Sequence, residues 1–134
     1  MATYRFPWFS SDYTDNYYPP APVIPLEIAG PEMSDWIQID EAFVDSGADW
    51  TIIPASLLER IAVVGRDRAW LRSQWGEARL VRRYDIDLRI ADRTFPSLLV
   101  VEDDQGEEVI LGRNFLRYVR MMLDGPAGSL TLFE

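Results

Sequence analysis

Phe43-Val44-Asp45-Ser46-Gly47-Ala48-Asp49 runs an apolar, strand-forming segment straight into a short polar turn with a carboxylate at its tip. Gly47 supplies backbone freedom and the close approach that a side chain forbids. The Ser46 hydroxyl can serve the turn itself or a facing strand. Taken alone the stretch decides little. An Asp-Ser/Thr-Gly tripeptide arises by chance in on the order of one chain in twenty of this length, with Gly near ~7% of usage, and a polar turn closing a hairpin is its plain reading. Its meaning depends on what the rest of the chain sets around Asp45.

Composition narrows the chemistry sharply. The 134 residues contain no Cys, no His and no Lys. That removes thiolate nucleophiles, Ser-His triads, His-ligated metals, the P-loop lysine and Schiff-base lysines. Carboxylate chemistry is what remains. Against 22 acidic residues stand 13 arginines, a net charge of −9, which repels phosphate backbones and anionic membranes. No apolar run approaches the roughly 18 residues of a membrane span, and the N-terminus lacks a basic segment followed by an apolar one. The expectation is one soluble, cytoplasmic domain that buries about two-thirds of its unfolded surface without disulfides, although the missing Cys leaves the redox compartment open.

Residues 1–22 set Tyr4, Phe6, Trp8, Phe9, Tyr13, Tyr17 and Tyr18 between Pro7 and the Pro19-Pro20-Ala21-Pro22 run. Neither helix nor central strand tolerates that mixture well. An extended aromatic arm is expected, lying on its own domain or on a second chain. Residues 23–134 form the domain proper. Val23–Ala29 is a strand candidate that Pro25 confines to an edge or to its first residues. After the Gly30–Asp35 turn, Trp36–Val44 returns as a strand leading into Asp45. Trp50–Ile53 is rich in β-formers, and Pro54 opens a helix of about two turns through Ile61.

Ala69–Arg72 and Ala78–Tyr84, joined through Ser73-Gln74-Trp75-Gly76-Glu77, make a polar, Arg-rich hairpin with too few apolar positions for a core. It projects from the domain or covers something. Asp85–Ile90 alternates strictly and turns at Ala91–Arg93 into Thr94–Val101. Glu102–Glu108 holds five carboxylates, but their spacing fits no Ca²⁺ loop, so a solvated tip is expected, with no metal and no other cofactor. Val109–Leu111 runs into Gly112-Arg113 and a short helical turn over Asn114–Tyr118. Val119–Leu123 and Ser129–Phe133 close the chain as a hairpin. The two halves echo each other weakly: Ala42–Gly47 and Val109–Gly112 are both apolar strands entering a glycine turn before a short helix.

Asp45-Ser46-Gly47-Ala48-Asp49, followed about sixty residues later by Ile110-Leu111-Gly112-Arg113-Asn114-Phe115-Leu116, resembles the retropepsin-like aspartic proteases, the single-lobe relatives of pepsin. The match runs in order and spacing from Val23 to Phe133. The resemblance implies an all-β, single-lobe closed barrel with one or two short helices and a flap hairpin. It implies that Asp45, with Ser46 and Gly47, is the catalytic motif, the Ser46 hydroxyl tying two active-site loops together. Ala48 and Asp49, with Ser73, Gln74, Trp75 and Gly76 of the flap tip, are its substrate-binding positions. Gly112 and Arg113 are structural, with an Asp49–Arg113 ion pair bracing the loop against the short helix. The flap departs from the family, which usually carries several glycines at the tip where this chain has Gly76 beside Trp75.

Only one Asp-Ser/Thr-Gly occurs, while the implied chemistry needs two carboxylates, so a homodimer is expected to contribute Asp45 twice. The substrate is then an extended peptide or protein segment, with neither nucleic acid nor membrane as partner. Two other readings stay open at this level. One is a dimer of the same fold that binds peptides without cutting them; the other is an unrelated small β-barrel binding module in which both glycine turns are coincidental.

Overall fold

The barrel begins where alternation is strongest. In the computed structural model, which describes residues 6–72 and 76–134, β2 (Val23–Ala29) buries Ile24, Leu26 and Ile28. β3 (Ile37–Val44) returns antiparallel to it with Ile39 and Ala42 inward. Pro25 sits mid-strand rather than on an outer edge, and the pairing itself resolves the conflict. The β2–β3 register shifts between Ile24 and Leu26, and the second neighbour of β2 pairs only from Glu27 onward. Pro25, which has no N–H to donate, thus stands at a bulge where no second neighbour asks for one.

Over the described residues the remaining elements are β1 (Pro7–Asp12), β4 (Thr51–Pro54), α1 (Ala55–Arg60), β5 (Asp67–Arg72), β6 (Ala78–Ile90), β7 (Arg93–Asp103), β8 (Val109–Leu111), α2 (Arg113–Leu116), β9 (Arg120–Asp124) and β10 (Ser129–Phe133). The order β2-β3-β8-β4-β7-β6 closes through a β2–β6 pairing, and β5 hangs on β6 outside the ring. Two ladders, β3–β8 and β4–β7, are parallel and the others antiparallel. This is a mostly β, closed mixed barrel with two short helices, in agreement with the single-lobe barrel that the resemblance implied. Ile86, Leu88 and Ile90 of β6, Val100 of β7, Leu111 of β8 and Phe115 of α2 are fully buried inside it. Burial of each such aliphatic side chain contributes about 1.5–3 kcal/mol.

A second sheet, β1-β10-β9, sends Leu130 and Leu132 into the same core. Its central strand is β10, paired with β1 on one side and β9 on the other. Residues 7–12 of the aromatic arm therefore form a strand on their own chain, with Trp8, Phe9 and Tyr13 packed against the core. The hairpin strand expected over 78–84 and the separate strand expected over 85–90 are one continuous strand, β6. Local pattern marks a change of face near Tyr84, but the chain does not turn there because β7 pairs across that point, from Arg83 to Ile90.

The β6–β7 ladder slips between Ile86 and Leu88, and a buried carboxylate repairs it. Asp87, only 7% exposed, accepts the Ser97 N–H on Oδ1 at 3.0 Å and the Glu32 N–H on Oδ2 at 3.1 Å. Ser97 takes a positive φ of 52° at this point. Asp87→Ala leaves two donors unsatisfied at a strained bulge, so an expected loss of about 2–4 kcal/mol follows. A urea midpoint within error of the wild type would show that water replaces the carboxylate at no cost.

Candidate active site

β3 and β8 lie side by side in parallel, Ala42 beside Val109, Phe43 beside Ile110 and Val44 beside Leu111. Both strands end at the same level, so the turns that follow, Asp45–Asp49 and Gly112–Arg113, are pressed together. The echo between the two halves of the sequence is this juxtaposition. Asp45 N–H donates to Leu111 O at 3.0 Å, and Arg113 N–H donates to Ala48 O at 2.8 Å. The Asp45 carboxylate is exposed at the tip and fixed from below, Oδ1 accepting the Gly47 N–H at 2.9 Å. A methyl group at Gly47 would lie 3.1 Å from that oxygen, so glycine keeps the carboxylate's nearest neighbour small.

The loops are locked further back by Thr51, which sequence reasoning missed, and by Asn114, which the second motif contained without a role. Thr51, fully buried, donates through both its N–H and its hydroxyl to Asn114 Oδ1, at 2.8 and 2.9 Å, while its Oγ1 accepts the Gly112 N–H at 3.2 Å. Asn114 Nδ2 in turn donates to Leu99 O at 2.6 Å. The one available signal was a polar residue inside the β-rich run Trp50–Ile53. Gly112 is required for space: a Cβ there would stand 2.3 Å from Trp50 O. Its φ of −91° is open to any residue.

Arg113 reaches across to the first loop, donating to Ser46 O at 2.8 Å and to Asp49 Oδ1. Both partners of that ion pair are more than half exposed, so it orients the loop more than it stabilises the fold. Among the described residues the Ser46 hydroxyl makes no hydrogen bond within the chain, and it is exposed beside Asp45.

Beside this tip runs a groove of about 520 Å³, within the usual range for a ligand cleft. Gly47, Ala48, Asp49, Trp50 and Ile52 form one wall, Trp70, Leu71, Arg72, Glu77 and Arg79 of the β5–β6 hairpin form the other, and Gln105 completes the lining. The hairpin is tied over it, because Arg79 pairs with Asp104 at 3.1 Å and with Asp103 at 4.0 Å. Of the expected substrate-binding positions, Ala48 and Asp49 line the groove. Gly76 is exposed at the hairpin turn with φ +83° and nothing within 4 Å of where a Cβ would stand, and it does not line the groove. Ser73, Gln74 and Trp75 lie outside the described residues.

On the opposite flank of Asp45 the arm comes back into play. Tyr17 stacks edge-on against Phe43, two positions before Asp45, with ring centroids 4.6 Å apart. Its hydroxyl donates to Glu108 Oε1 at 2.5 Å. The Glu108 carboxylate accepting that proton raises the Tyr17 pKa above the ordinary phenol value. Asn16 anchors the same loop by donating to Glu41 at 2.5 Å.

Comparison with known proteins agrees with this geometry. Residues 38–118 match the family model described as gag-polyprotein putative aspartyl protease. No curated protein matches the chain by sequence. Among solved structures, a retropepsin-like aspartic protease from Rickettsia conorii aligns with a TM-score of 0.62 at 12% identity, over 92% of this chain and 88% of that one. The EIAV protease, solved with the inhibitor HBY-793, aligns with a TM-score of 0.56 at 17% identity, over 73% and 86%. The retroviral protease-like domain of Ddi1 from Leishmania major aligns with a TM-score of 0.53 at 25% identity, over 82% and 87%. With the matched region spanning both glycine turns and the barrel strands between them, the chain belongs to the retropepsin-like aspartyl protease family.

Proposed function

We propose that this protein is an aspartic endopeptidase whose active form is a homodimer, each copy contributing one Asp45. The observation that carries the reading is a single exposed carboxylate, held by the Gly47 N–H two residues from the wall of a groove that Gly47, Ala48 and Asp49 line, in a chain with one such motif. Two carboxylates brought within about 3 Å cannot both ionise and so share a proton. The ionised Asp45 takes a proton from water as the oxygen attacks the scissile carbonyl carbon. The protonated Asp45 donates to the carbonyl oxygen as charge develops there. Substrate lies extended in the groove under the hairpin, an arrangement suited to strand-like pairing.

The second sheet supports a particular dimer. β10 is flanked on both sides within the chain, so the Ser129–Phe133 strand has no edge to offer, whereas β1 and β9 each have one. β9 also exposes Met122 and Leu123, at 47% and 49%. A two-fold centred on Met122 would set Arg120 of each copy opposite Asp124 of the other, continuing the sheet with two complementary ion pairs. Leu123→Glu places like charges near that axis and is expected to convert dimer to monomer at micromolar concentration, with peptide cleavage falling in step. Light scattering that finds an unchanged dimer would move the interface elsewhere.

The Arg79 tie between hairpin and acidic loop favours a second reading, a dimer that holds peptides without cutting them. A peptide-library digest from about pH 4 to 7, read by mass spectrometry, separates the two. Defined cleavage sites from the wild type support the peptidase, and bound but intact peptides support the holding module.

A further inference from the structure

The β5–β6 hairpin has one face that the barrel does not use. Opposed residues of an antiparallel pair share a face, so Arg68 with Arg82, Trp70 with Leu80 and Arg72 with Ala78 stand together. All six are exposed, Trp70 at 71% and Leu80 at 48%; Trp70 and Arg72 also border the groove, whereas Arg68, Ala78, Leu80 and Arg82 do not. The opposite face points inward. Val81 is buried there, Leu71 and Arg79 line the groove, and Arg83 lies over the Trp50 ring while its guanidinium holds both oxygens of Asp67, at 2.6 and 2.5 Å. The outer face is thus three arginines around a tryptophan and a leucine, with no carboxylate on it.

The charge of the molecule is split accordingly. Residues 66–83 carry six arginines against Asp67 and Glu77, a net +4, so the rest of a chain of net −9 carries −13. Among the described residues neither Arg68 nor Arg82 makes an ion pair, although they stand directly opposite each other, an arrangement that costs stability until an anion joins them. β5 is also the last strand of its sheet, leaving one row of backbone groups open to a further strand. Basic residues alone would guard such an edge against pairing, but a tryptophan exposed at its centre does the reverse.

We propose that the free edge and outer face of β5 bind an extended acidic polypeptide segment as an added strand. Residues directly opposite Arg68, Trp70 and Arg72 fall on the same face at alternate positions. The segment recognised therefore has an apolar residue with a carboxylate two positions to either side, spanning about 13 Å. The apolar side chain meets Trp70, and one carboxylate sits between Arg68 and Arg82. A short peptide suits the site better than nucleic acid, because a longer polyanion runs past the hairpin into the −13 of the body, unscreened within about 8 Å. The site shares Trp70 and Arg72 with the rim of the groove beside Asp45, but Arg68 and Arg82 lie outside that groove, and the site stands whether or not the protein cuts peptides.

The test uses full-length Asp45→Asn protein, so that cleavage plays no part, and a fluorescein-labelled peptide with a central Asp-Ser-Leu-Ser-Asp followed by anisotropy. Saturable binding is expected, weakening with added salt and falling about tenfold or more in Arg68→Glu, Arg82→Glu and Trp70→Ser. Arg68→Gln, which removes the charge without reversing it, stands in should a reversed variant melt early by circular dichroism. A peptide with Lys in place of Asp should not bind. Equal affinity of the wild type and the Arg68 variants overturns the proposal. Single-stranded DNA of similar length binding as tightly as the peptide overturns it in favour of a phosphate site. Association beyond a dimer that disappears in Arg68→Glu overturns it in favour of contact between copies of this chain.

Discussion

Asp45→Asn is expected to lower kcat/KM for any cleaved peptide by at least about 10³-fold while leaving fold and assembly intact. Asn preserves the size of the side chain and its Oδ1, so the hydrogen bond from the Gly47 N–H survives. It has no proton to give up or accept at neutral or acid pH. In the proposed homodimer the substitution removes the base from one copy and the acid from the other together, and general acid-base catalysis alone is worth ~10²–10⁴. Because the pair must carry one proton, wild-type activity is expected to be bell-shaped in pH with a weakly acidic optimum. Residual turnover within tenfold of wild type at matched dimer concentration, or a profile flat from about pH 4 to 9, would remove Asp45 from the chemistry. Loss of the dimer in Asp45→Asn would instead make it a structural residue.

Gly112→Ala is expected to destabilise the chain by about 3 kcal/mol or more, at the upper end for overpacking by one methyl. The new Cβ meets Trp50 O at 2.3 Å, Trp50 C at 2.4 Å and Ala48 O at 3.0 Å. These are backbone atoms, which no rotamer change can move aside. Relief requires separating α2 from the Asp45 loop. That separation strains the bonds from Arg113 N–H to Ala48 O, from Gly112 N–H to Thr51 Oγ1, and from Thr51 to Asn114. Gly125→Ala is the control, since nothing lies within 4 Å of its Cβ position, and a surface change of that kind stays within about 0.5 kcal/mol. Equal urea midpoints for the two variants would show that the loops are not packed as tightly as the geometry has them.

The sequence by itself determined which chemistries were absent and where the remaining one sat. Without Cys, His or Lys, only carboxylates were left, and two glycine turns set far apart located the pair of loops around Asp45. Strand alternation exposed the barrel walls, because which face of a strand is buried is a local, period-two property. What tertiary structure alone decided is which edges meet. Thr51 and Asn114 lie 63 positions apart, and nothing local to either names the other. Gly112 is indispensable only because Trp50 O stands over it. Ser129–Phe133 read as one arm of a closing hairpin, yet it is the centre of a sheet whose edges are β1 and β9. The Arg-rich hairpin read as projecting from the domain or covering something, but only its register separates the inward Leu71, Arg79 and Val81 from the outward Arg68, Leu80 and Arg82. Hydrogen-bonded sheet order is a long-range choice made among many strands of similar pattern, so the period of a segment reveals its faces and leaves its neighbours to the fold.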